Sequence, residues 1–465
     1  MSGELTIVIG LGATGYSCVR HLVPTEALGV VDTRQAPPFL DAVRKNHPEV
    51  AVIEASRWRE ALAQARRVVV SPGVALDDPL VNVARAAGVP LTSDVQLFLD
   101  AVGDAPVLGV TGTNGKSTVT TLVGELVTAA GVRAGVGGNL GTPALDLLDG
   151  HFETYVLELS SFQLERLDRP GLAVGALLNV SPDHLDRHAG LEDYAASKRR
   201  IYGGARRLVY NAADPRTLPG EPGASRIPAI ALNGDPRWRI DGDELVIDGR
   251  RLAAASLGLR GRHNQLNALA AAAIVHQAGM PVDEEALAAF RGLPHRSALI
   301  AEIDGVAYID DSKATNIGAC QAALEGFGDG TRNIVLIAGG DAKGAEFEAL
   351  APYLRRHVSR LVLLGRDAER IAERVAGRVP SVRAQNMEQA VRLGRASARP
   401  GDMVLLSPAC ASFDMYADYN ARGDDFAAHV RAVAAPRRAG FAPRILQTTA
   451  KRPPASGTGC AGEVA

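Results

Sequence analysis

The sequence predicts an α/β protein built from three consecutive domains. Short apolar runs alternate with helical periodicity along most of the 465 residues, which is typical of parallel sheets with crossover helices. Two glycine-rich turns, GLGATG and TGTNGKST, each follow an apolar run and precede a helical pattern. We therefore expect a Rossmann-like N-terminal domain, a central P-loop ATPase-type parallel sheet with a small antiparallel edge, and a Rossmann-like C-terminal domain.

The domain limits follow changes in this pattern. Residues 1–93 contain the strand-like runs LTIVIG, LGVVD, AVIEA and RRVVVSPG. Residues 94–298 contain PVLGVTG, TYVLELS and LAVGALLNV, and two Asp-Gly pairs in RIDGDELVIDG predict hairpin turns. Residues 299–436 contain VAYIDD, NIVLIAGG, RLVLLG and MVLLSPA. Residues 437–465 are rich in Pro, Ala and Gly, and we expect a disordered tail to which we assign no function.

Composition and charge argue against several classes of protein. The 50 basic and 52 acidic side chains give a formal net charge of −2, which does not favour a nucleic-acid partner. No apolar run approaches the roughly 20 residues of a membrane helix, and we expect no signal peptide before LTIVIG. The cysteines form no CxxC pair, which argues against a disulfide framework or a zinc ribbon; they are Cys18, Cys320, Cys410 and Cys460. We expect a soluble, cytoplasmic protein.

The second glycine-rich turn has the pattern of a phosphate-binding loop. Strand-like VLGV leads into it, and apolar residues then recur at helical spacing from Val119 to Val127. This order places backbone N–H groups around a phosphate, with Lys116 near the β- and γ-phosphates and Ser117 near Mg²⁺. Val110 departs from the usual glycine, and a βα turn whose glycines serve tight packing is the alternative. We predict nucleotide binding by Gly112, Thr113, Asn114, Gly115, Lys116, Ser117 and Thr118.

Polar side chains stand at the ends of the next predicted strands. TYVLELS brings Glu158 to one strand end, and LAVGALLNVSPDH brings Asp183 and His184 to another. Because ligands gather at the carboxyl ends of parallel strands, these groups and Lys198 in the following helical pattern are candidates for a metal–phosphate site. Taken singly, Glu158 could be an edge charge, His184 an N-cap neighbour and Lys198 a solvated lysine.

The first glycine-rich turn fits GxGxxG, the fingerprint of dinucleotide-binding domains. Asp32 follows at about the distance where an acidic residue meets the ribose of a dinucleotide. This turn alone would indicate an NAD-dependent dehydrogenase, although no other candidate feature for hydride transfer accompanies it. A dehydrogenase and a nucleotide-binding regulator without catalysis are therefore the alternatives from other classes of protein.

Longer motifs resemble the Mur ligase family of ATP-dependent amide-bond-forming enzymes. In the central block they are TGTNGKST, GGNLG at 137–141, LELSSFQLE at 157–165, NVSPDHLDRH at 179–188 and GRHNQLN at 261–267. In the third block, LPHR at 293–296, DDSKATN at 310–316, GGDAKG at 339–344 and LLSPACASFD at 405–414 resemble the members that add D-glutamate. The resemblance runs from residue 5 to about 432. The DNPR motif of the diaminopimelate-adding members is absent from the sequence.

The resemblance implies a reaction in cytoplasmic peptidoglycan precursor synthesis. ATP phosphorylates the free carboxylate of UDP-N-acetylmuramoyl-L-alanine to an acyl phosphate, and the amine of D-glutamate attacks it through a tetrahedral intermediate. It also implies two Mg²⁺ ions, small-molecule substrates alone and a monomer. A sister Mur ligase and a folylpolyglutamate-synthase-like ligase are the nearest alternatives.

The resemblance also assigns roles within the first two domains. Residues 1–93 would bind the UDP-linked substrate and residues 94–298 would bind ATP. Contacts to the UDP-linked substrate are expected from Ala13, Thr14, Asp32, Thr33, Arg34, Ser71, Gly73, Asn139 and His184. Asn267, Arg296 and Asp311 would complete the ATP site. The expected catalytic residues are Lys116, Glu158, His184 and Lys198.

The metal ligands and the amino-acid site follow from the same resemblance. Mg²⁺ ligands would be Ser117, Glu158, His184 and Lys198, the last as a carbamate formed with CO₂, because a bare ammonium group repels a metal ion. The C-terminal domain, residues 299–436, would bind D-glutamate through Lys313, Thr315, Lys343, Ser412, Phe413, Tyr419 and Arg422. Cations and hydroxyls in this set suit the two carboxylates of the amino acid.

Overall fold

The computed structural model describes most of the chain in three α/β domains, each built on a sheet. The described residues are 5–167, 169–183, 187–220, 226–342 and 346–434. The predicted tail, His184 and Lys343 lie outside these residues. No helix in the described ranges has the length and apolarity that a bilayer crossing requires.

The N-terminal sheet is parallel, with strand order β3-β2-β1-β4-β5. Its strands are β1 (Thr6–Ile9), β2 (Leu28–Val31), β3 (Ala51–Val52), β4 (Arg67–Val70) and β5 (Leu91–Thr92). The connecting helices are α1 (Ala13–Leu22), α2 (Leu40–Asn46), α3 (Trp58–Ala63) and α4 (Pro79–Ala86), and α5 (Asp94–Ala101) follows β5. The chain order reverses between β1 and β4, so the GLGATG turn after β1 opens at the topological switch point where ligands bind in such sheets.

The central sheet has six parallel strands in the order β11-β10-β9-β6-β8-β7. These strands are β6 (Val107–Thr111), β7 (Ala134–Gly138), β8 (Thr154–Glu158), β9 (Val174–Leu177), β10 (Leu208–Asn211) and β11 (Ala229–Leu232). The helices are α6 (Lys116–Ala129), α7 (Ser161–Leu164), α8 (Leu191–Arg199), α9 (Arg262–Gln277) and α10 (Glu284–Ala289). Residues of β6 and β8 are buried, as expected for parallel strands covered on both faces.

The antiparallel strands predicted at the edge of the central sheet form a separate three-stranded sheet. It consists of β12 (Trp238–Asp241), β13 (Glu244–Ile247) and β14 (Arg250–Ala253), paired as two consecutive hairpins. Asp248 and Gly249 connect β13 to β14 with φ of 48° and 82°, the conformation that Asp-Gly favours in two-residue turns. The predicted hairpins are therefore present.

The C-terminal sheet is mixed, with strand order β15-β16-β20-β17-β18-β19. Its strands are β15 (Ala298–Ile303), β16 (Val306–Asp310), β17 (Ile334–Gly339), β18 (Val358–Leu364), β19 (Ser381–Arg383) and β20 (Met403–Leu406). The helices are α11 (Ile317–Phe327), α12 (Ala351–His357), α13 (Ala368–Arg374), α14 (Met387–Ser397) and α15 (Tyr419–Ala434). Only β15 is antiparallel among the strands described in this sheet, and the others form the expected Rossmann-like core.

Apolar packing joins the first two sheets. One buried cluster includes Val8 and Val30 of the N-terminal sheet, Phe98 of α5, and Leu157 and Leu177 of the central sheet. The contact between the two sheets is thus continuous apolar core, which holds the N-terminal turns near the central sheet. The exact domain limits stay predictions; β15 begins one residue before the limit predicted at 299.

Candidate active site

The TGTNGKST loop connects β6 to α6, as the sequence predicts. Gly115 immediately precedes α6 with a φ of 84°, a conformation that disfavours side chains. A Cβ atom at this position would lie 2.4 Å from Oδ1 of Asn267 on α9. Glycine is therefore required both by the turn and by the close approach of Asn267, which was predicted as an ATP contact.

The side chain of Asn179 holds this loop by hydrogen bonds to the backbone of Asn114. The sequence analysis missed this role. Its Oδ1 accepts from the N–H of Asn114 at 2.9 Å, and its Nδ2 donates to the carbonyl of Asn114 at 3.0 Å. The N–H of Thr113 also donates to the carbonyl of Asn179 at 3.0 Å. Asn179 lies just after β9, and the signal for it was an asparagine at the start of the motif that contains His184.

The side chain of Lys116 folds back onto the phosphate loop. Its Nζ donates to the carbonyls of Gly112 and Thr113, both at 2.9 Å. Burial lowers the pKa of Lys116, while the nearby Glu158 carboxylate raises it. The side chain thus carries a poorly solvated cation at the place where the sequence pattern predicts nucleotide phosphates.

Ser117 and Glu158 form the centre of a buried polar cluster. The hydroxyl of Ser117 donates to Oε2 of Glu158, and Nδ2 of Asn139 donates to Oε1 at 2.7 Å. Nη2 of Arg296 donates to Oγ of Ser117 at 2.7 Å. Arg296 lies just before β15, where the central domain passes into the C-terminal domain, so this hydrogen bond holds the start of the C-terminal sheet near the phosphate loop. The structure thus gathers four of the predicted residues.

This donor set fits Mg²⁺ in the way such ions are usually bound. Mg²⁺ prefers oxygen ligands and takes one or two carboxylates, with substrate phosphates and water supplying the rest. Ser117 and Glu158 supply a hydroxyl and a carboxylate. The described ranges contain no cluster of three or more His, Cys, Asp or Glu side chains that could hold a metal by themselves.

Lys198 is buried beside the loop, with 1% of its surface exposed. Its Nζ donates to the carbonyl of Gly112 at 2.9 Å and lies 4.5 Å from the centre of the Tyr194 ring. Burial, and then the charge of Lys116, hold the pKa of Lys198 well below its usual range. The alternative of a solvated lysine is therefore wrong for this side chain, and its burial disfavours the charged form relative to an exposed lysine.

A second contact joins the C-terminal and central domains near the same strand ends. Nδ2 of Asn316 donates to Oδ2 of Asp183 at 3.1 Å, while its Oδ1 caps α11 by accepting from the N–H of Ala319 at 2.8 Å. His184 follows Asp183 directly but lies outside the described residues. The contacts from Arg296 and from Asn316 thus hold the start of the C-terminal domain beside the strand ends of the central sheet.

Asp311 is buried in a hydrogen-bonded network. Its Oδ1 accepts from the N–H of Ser297 at 3.1 Å, and its Oδ2 accepts from the hydroxyl of Ser407 at 2.9 Å. Burial raises its pKa to about 7, against the effect of the Ser407 hydrogen bond. Its place in the ATP site stays a prediction.

The residues predicted to bind D-glutamate occupy different environments. Nζ of Lys313 lies 3.7 Å from the centre of the Tyr419 ring, and burial lowers the pKa of Lys313 to about 8. Thr315 is half-buried, and its backbone N–H donates to the carbonyl of Lys313 at 2.8 Å. Ser412 is buried, whereas Phe413 is 65% exposed.

Arg422 has its guanidinium group directed into the protein. Its Nε donates to Oγ of Ser312 at 3.0 Å, Nη1 to the carbonyl of Cys410 at 3.1 Å, and Nη2 to the carbonyl of Ser312 at 2.7 Å. Burial lowers its pKa to about 10. This geometry ties α15 to the loops after β16 and β20, and a direct contact of Arg422 with D-glutamate stays a prediction.

The GLGATG turn and the turn after β4 lie together. The hydroxyl of Ser71 donates to the carbonyl of Gly10 at 2.8 Å. A Cβ atom at Gly15 would lie 1.9 Å from that same carbonyl, so the last glycine of the fingerprint permits the tight turn. Ala13, at the start of α1, and Gly73 are exposed, and Thr14 is half-buried.

Asp32 closes the other side of the GLGATG turn. Its Oδ2 accepts from the N–H of Leu11 at 2.7 Å, and the Arg34 guanidinium pairs with it at 2.6 Å. Burial opposes ionisation of Asp32, but the hydrogen bonds from Arg34 and Leu11 outweigh it and lower the pKa of Asp32 to about 2. Arg34 and Thr33 are exposed at the rim.

Family models match all three parts of the chain. A Mur ligase MurD-like N-terminal domain matches residues 4–93, a Mur ligase middle domain matches residues 110–275, and a Mur ligase glutamate ligase domain matches residues 295–410.

Curated relatives match along nearly the whole chain. A UDP-N-acetylmuramoylalanine–D-glutamate ligase of Pseudomonas fluorescens is 46% identical over 446 residues, covering 91% of this chain and 97% of its own. A ligase of the same name from Methylococcus capsulatus is 48% identical over 440 residues, covering 92% and 95%.

Solved structures share the fold. A pseudomurein peptide ligase type C from Methanothermus fervidus aligns with a TM-score of 0.59 at 17% identity, covering 92% of this chain and 100% of its own. A UDP-N-acetylmuramate–alanine ligase from Thermotoga maritima aligns with a TM-score of 0.55 at 19% identity, covering 92% and 99%. These likenesses confirm the predicted three-domain α/β fold.

Proposed function

Because the chain belongs to the Mur ligase family, we propose that it joins D-glutamate to UDP-N-acetylmuramoyl-L-alanine in an ATP-dependent reaction of peptidoglycan precursor synthesis. The substrates follow from curated relatives that are 44–48% identical over most of the chain. The observation in the structure that supports this reaction best is the buried Ser117–Glu158 pair between Lys116 and Arg296. Because the chain is a Mur ligase, the alternative of an NAD-dependent dehydrogenase is wrong.

In the first half-reaction, the alanine carboxylate of the UDP-linked substrate attacks the γ-phosphorus of ATP. The bond between that phosphorus and the β-phosphate oxygen breaks, ADP leaves, and an acyl phosphate forms. Lys116 binds the γ-phosphoryl oxygens and neutralises their charge during transfer. Ser117 and Glu158 would hold a Mg²⁺ ion, which neutralises phosphate charge when bound.

In the second half-reaction, the neutral amine of D-glutamate attacks the acyl carbon. A tetrahedral intermediate forms, its bond to phosphate oxygen breaks, and inorganic phosphate leaves. We propose that Lys313, Thr315 and Ser412 orient the amino acid through its carboxylates, while the buried Arg422 holds the loops that carry Ser312 and Cys410. Phe413, Tyr419 and Lys343 complete the proposed site.

Lys198 is proposed to act as a carbamate. A neutral amine is the form that reacts with CO₂, and burial favours that form at Lys198. The product is an anion that can bind a second Mg²⁺ together with His184, which removes the repulsion between an ammonium group and the metal.

The two turns of the N-terminal domain are proposed to bind the UDP part of the substrate. Ala13 and Thr14 lie at the start of α1, where a helix N-terminus favours a diphosphate. Asp32, Thr33 and Arg34 face uracil and ribose, and Ser71 and Gly73 face the same ligand from the other turn. Asn139 and His184 are proposed to contact the same substrate, as the resemblance implies.

We also propose that the enzyme works as a monomer in the cytoplasm. The resemblance to the family implies a monomer, and ATP and UDP-linked precursors are cytoplasmic substrates. Sedimentation velocity at micromolar concentration checks the monomer: a dimer as the active species would contradict it.

The experiment that tests the reaction is an amino-acid panel. Phosphate release is measured with ATP and UDP-N-acetylmuramoyl-L-alanine while D-glutamate, L-glutamate, L-alanine or meso-diaminopimelate is offered. We expect turnover with D-glutamate alone. Strict dependence on another amino acid would assign the chain to a sister activity.

A further inference from the structure

Arg166 connects the central domain to the N-terminal domain through a buried side chain. Only 3% of this side chain is exposed. Its Nη2 donates to the carbonyl of Val74, 92 residues away in sequence. Its Nη1 donates to the carbonyl of Phe162 and to Oε1 of Glu165, the latter at 2.8 Å. One guanidinium group thus spans the junction of the two domains.

The end of this link in the N-terminal domain is the turn proposed to hold the UDP-linked substrate. The N–H of Val74 donates to the carbonyl of Ser71 at 3.0 Å and closes the turn. Ser71 in turn contacts the carbonyl of Gly10 through its hydroxyl. A Cβ atom at Gly10 would lie 3.0 Å from Cγ2 of Val74, so the two turns are in direct contact. The position of Val74 therefore sets the position of both turns.

The other end of the link is rigidly joined to Glu158. Glu158 ends β8, and Ser160 and Gln163 form a capping box that fixes the start of α7. Arg166 follows α7 by two residues. A single ordered segment therefore runs from the carboxylate of the proposed metal site to the guanidinium group that reaches Val74.

Burial of Arg166 is energetically costly. Desolvation lowers its pKa, which the carboxylates of Glu165 and Asp94 raise. In the described part of the chain its Nε has no hydrogen-bond partner, nor does Oδ1 of Asp94. Apolar side chains of similar volume often stabilise a junction better than a buried charge. An apolar side chain could not donate the hydrogen bond to the carbonyl of Val74, and this bond is what Arg166 adds to the junction.

We propose that Arg166 is a positioning residue that fixes the two substrate turns of the N-terminal domain relative to Glu158. This inference rests on the proposed function, because it takes those turns as the site of the UDP-linked substrate. Transfer from ATP requires the alanine carboxylate within reach of the γ-phosphorus, and a displacement of about 1 Å can cost about a hundred-fold in rate. Arg166 would set that distance without touching either substrate.

The test compares Arg166→Ala and Arg166→Lys by steady-state kinetics in which each of the three substrates is varied in turn. For Arg166→Ala we expect kcat to fall at least about ten-fold, because the alanine carboxylate is displaced from the γ-phosphorus. The KM of UDP-N-acetylmuramoyl-L-alanine should rise about ten-fold, because a charge-assisted hydrogen bond that holds its turns is lost. The KM of ATP should stay within about two-fold. Guanidinium chloride at millimolar concentration should lower the raised KM of Arg166→Ala. Arg166→Lys should be intermediate, since one ammonium group cannot reach both Val74 and Phe162.

Arg200→Ala is the matched control. Nη1 of Arg200 donates to the carbonyls of Glu165 and Leu167 at 2.7 Å and 3.1 Å, so it supports the same segment without reaching the N-terminal domain. Its kinetic constants should stay within about two-fold of the wild type.

Three outcomes would overturn the inference: unchanged constants in Arg166→Ala, equal rises in the KM of ATP and of the UDP-linked substrate, or the same loss in Arg200→Ala. If Arg166→Ala does not fold, calorimetric binding of the UDP-linked substrate to Arg166→Lys decides, and wild-type affinity there overturns the inference. Wild-type turnover that is independent of D-glutamate would contradict the proposed function instead, and calorimetry would still test Arg166.

Discussion

The two glycine-rich turns have the same place in their sheets but different electrostatic surroundings. Each follows a central parallel strand and begins a helix. The GLGATG turn is bordered by Asp32, whose pKa is lowered to about 2 by hydrogen bonds from Arg34 and Leu11 despite its partial burial. The TGTNGKST loop is bordered by the half-buried Lys116 and the buried Lys198, whose pKa values are both lowered.

This difference in charge distinguishes a turn that can bind a diphosphate from a loop that can also support phosphoryl transfer. A βα turn by itself supplies backbone N–H groups and a helix N-terminus, which suffice to bind a diphosphate. Phosphoryl transfer also requires cations and metal ligands at the site of developing charge, and among the described residues these cluster at the second loop. The fold therefore accounts for two proposed nucleotide sites, and the side chains around them favour the second loop as the place of phosphoryl transfer.

The strongest test of this contrast removes the cation of the second loop. We expect Lys116→Ala to lower kcat by at least about a hundred-fold, because a group that stabilises transition-state charge is lost. The KM of UDP-N-acetylmuramoyl-L-alanine should change little, since that substrate is proposed to bind at the other turn. Phosphate release measures both constants. A large rise in this KM with unchanged kcat would contradict the division of roles.

The second test concerns Lys198. We expect Lys198→Ala to be nearly inactive and to regain part of its activity with formate or acetate, which can replace the carbamate anion at a metal site. NMR with ¹³C-labelled bicarbonate should show a carbamate signal in the wild type that is missing from the variant. Full activity of Lys198→Ala would exclude Lys198 from the mechanism.

Local patterns in the sequence predicted the parts of the site that are contiguous in sequence. The phosphate loop, the strand that ends at Glu158 and the buried Lys198 segment each combine a strand or helix signal with a polar residue. Contacts between distant segments could not be predicted this way. The hydrogen bond from Arg296 to Ser117 spans 179 residues, and it depends on how the C-terminal domain packs.

The sequence also could not predict the direction in which a side chain points. The motif around Arg422 places an arginine near the amino-acid site, but it does not tell whether the guanidinium points to the ligand or into the protein. Asn179 was overlooked because an asparagine after a strand is an ordinary loop residue until its partner at Asn114 is known. Tertiary packing decides both cases.

The third test sharpens the contrast within the second loop. Asn179→Leu removes both hydrogen bonds to Asn114 and leaves those backbone groups unpaired. We expect the KM of ATP to rise about ten-fold, with little change for the UDP-linked substrate. Asn82→Ala, an exposed asparagine on α4, is the control and should leave both constants unchanged. If both variants change the KM of ATP equally, Asn179 does not specifically support the ATP loop.

The smallest effect is expected at the first turn. In Asp32→Asn the ion pair with Arg34 is lost, but the amide oxygen can still accept from the N–H of Leu11. Arg34 is half exposed, so solvent screens the pair, and we expect the KM of the UDP-linked substrate to rise only about three-fold with kcat unchanged. Asp41→Asn, which affects an exposed pair with Arg44 in the same domain, is the matched control.

The pH profile adds a second readout for the same residue. A carboxyl whose pKa is lowered to about 2 stays charged as pH rises from 5 to 9, so Asp32 contributes no change in KM across that range. The KM of the UDP-linked substrate should therefore have the same pH dependence from pH 5 to 9 in the wild type and in Asp32→Asn, whatever other groups titrate there. A step in the wild-type profile that disappears in Asp32→Asn would show that Asp32 titrates there. It would then behave like the perturbed groups of the second loop, and the contrast between the two turns would fail.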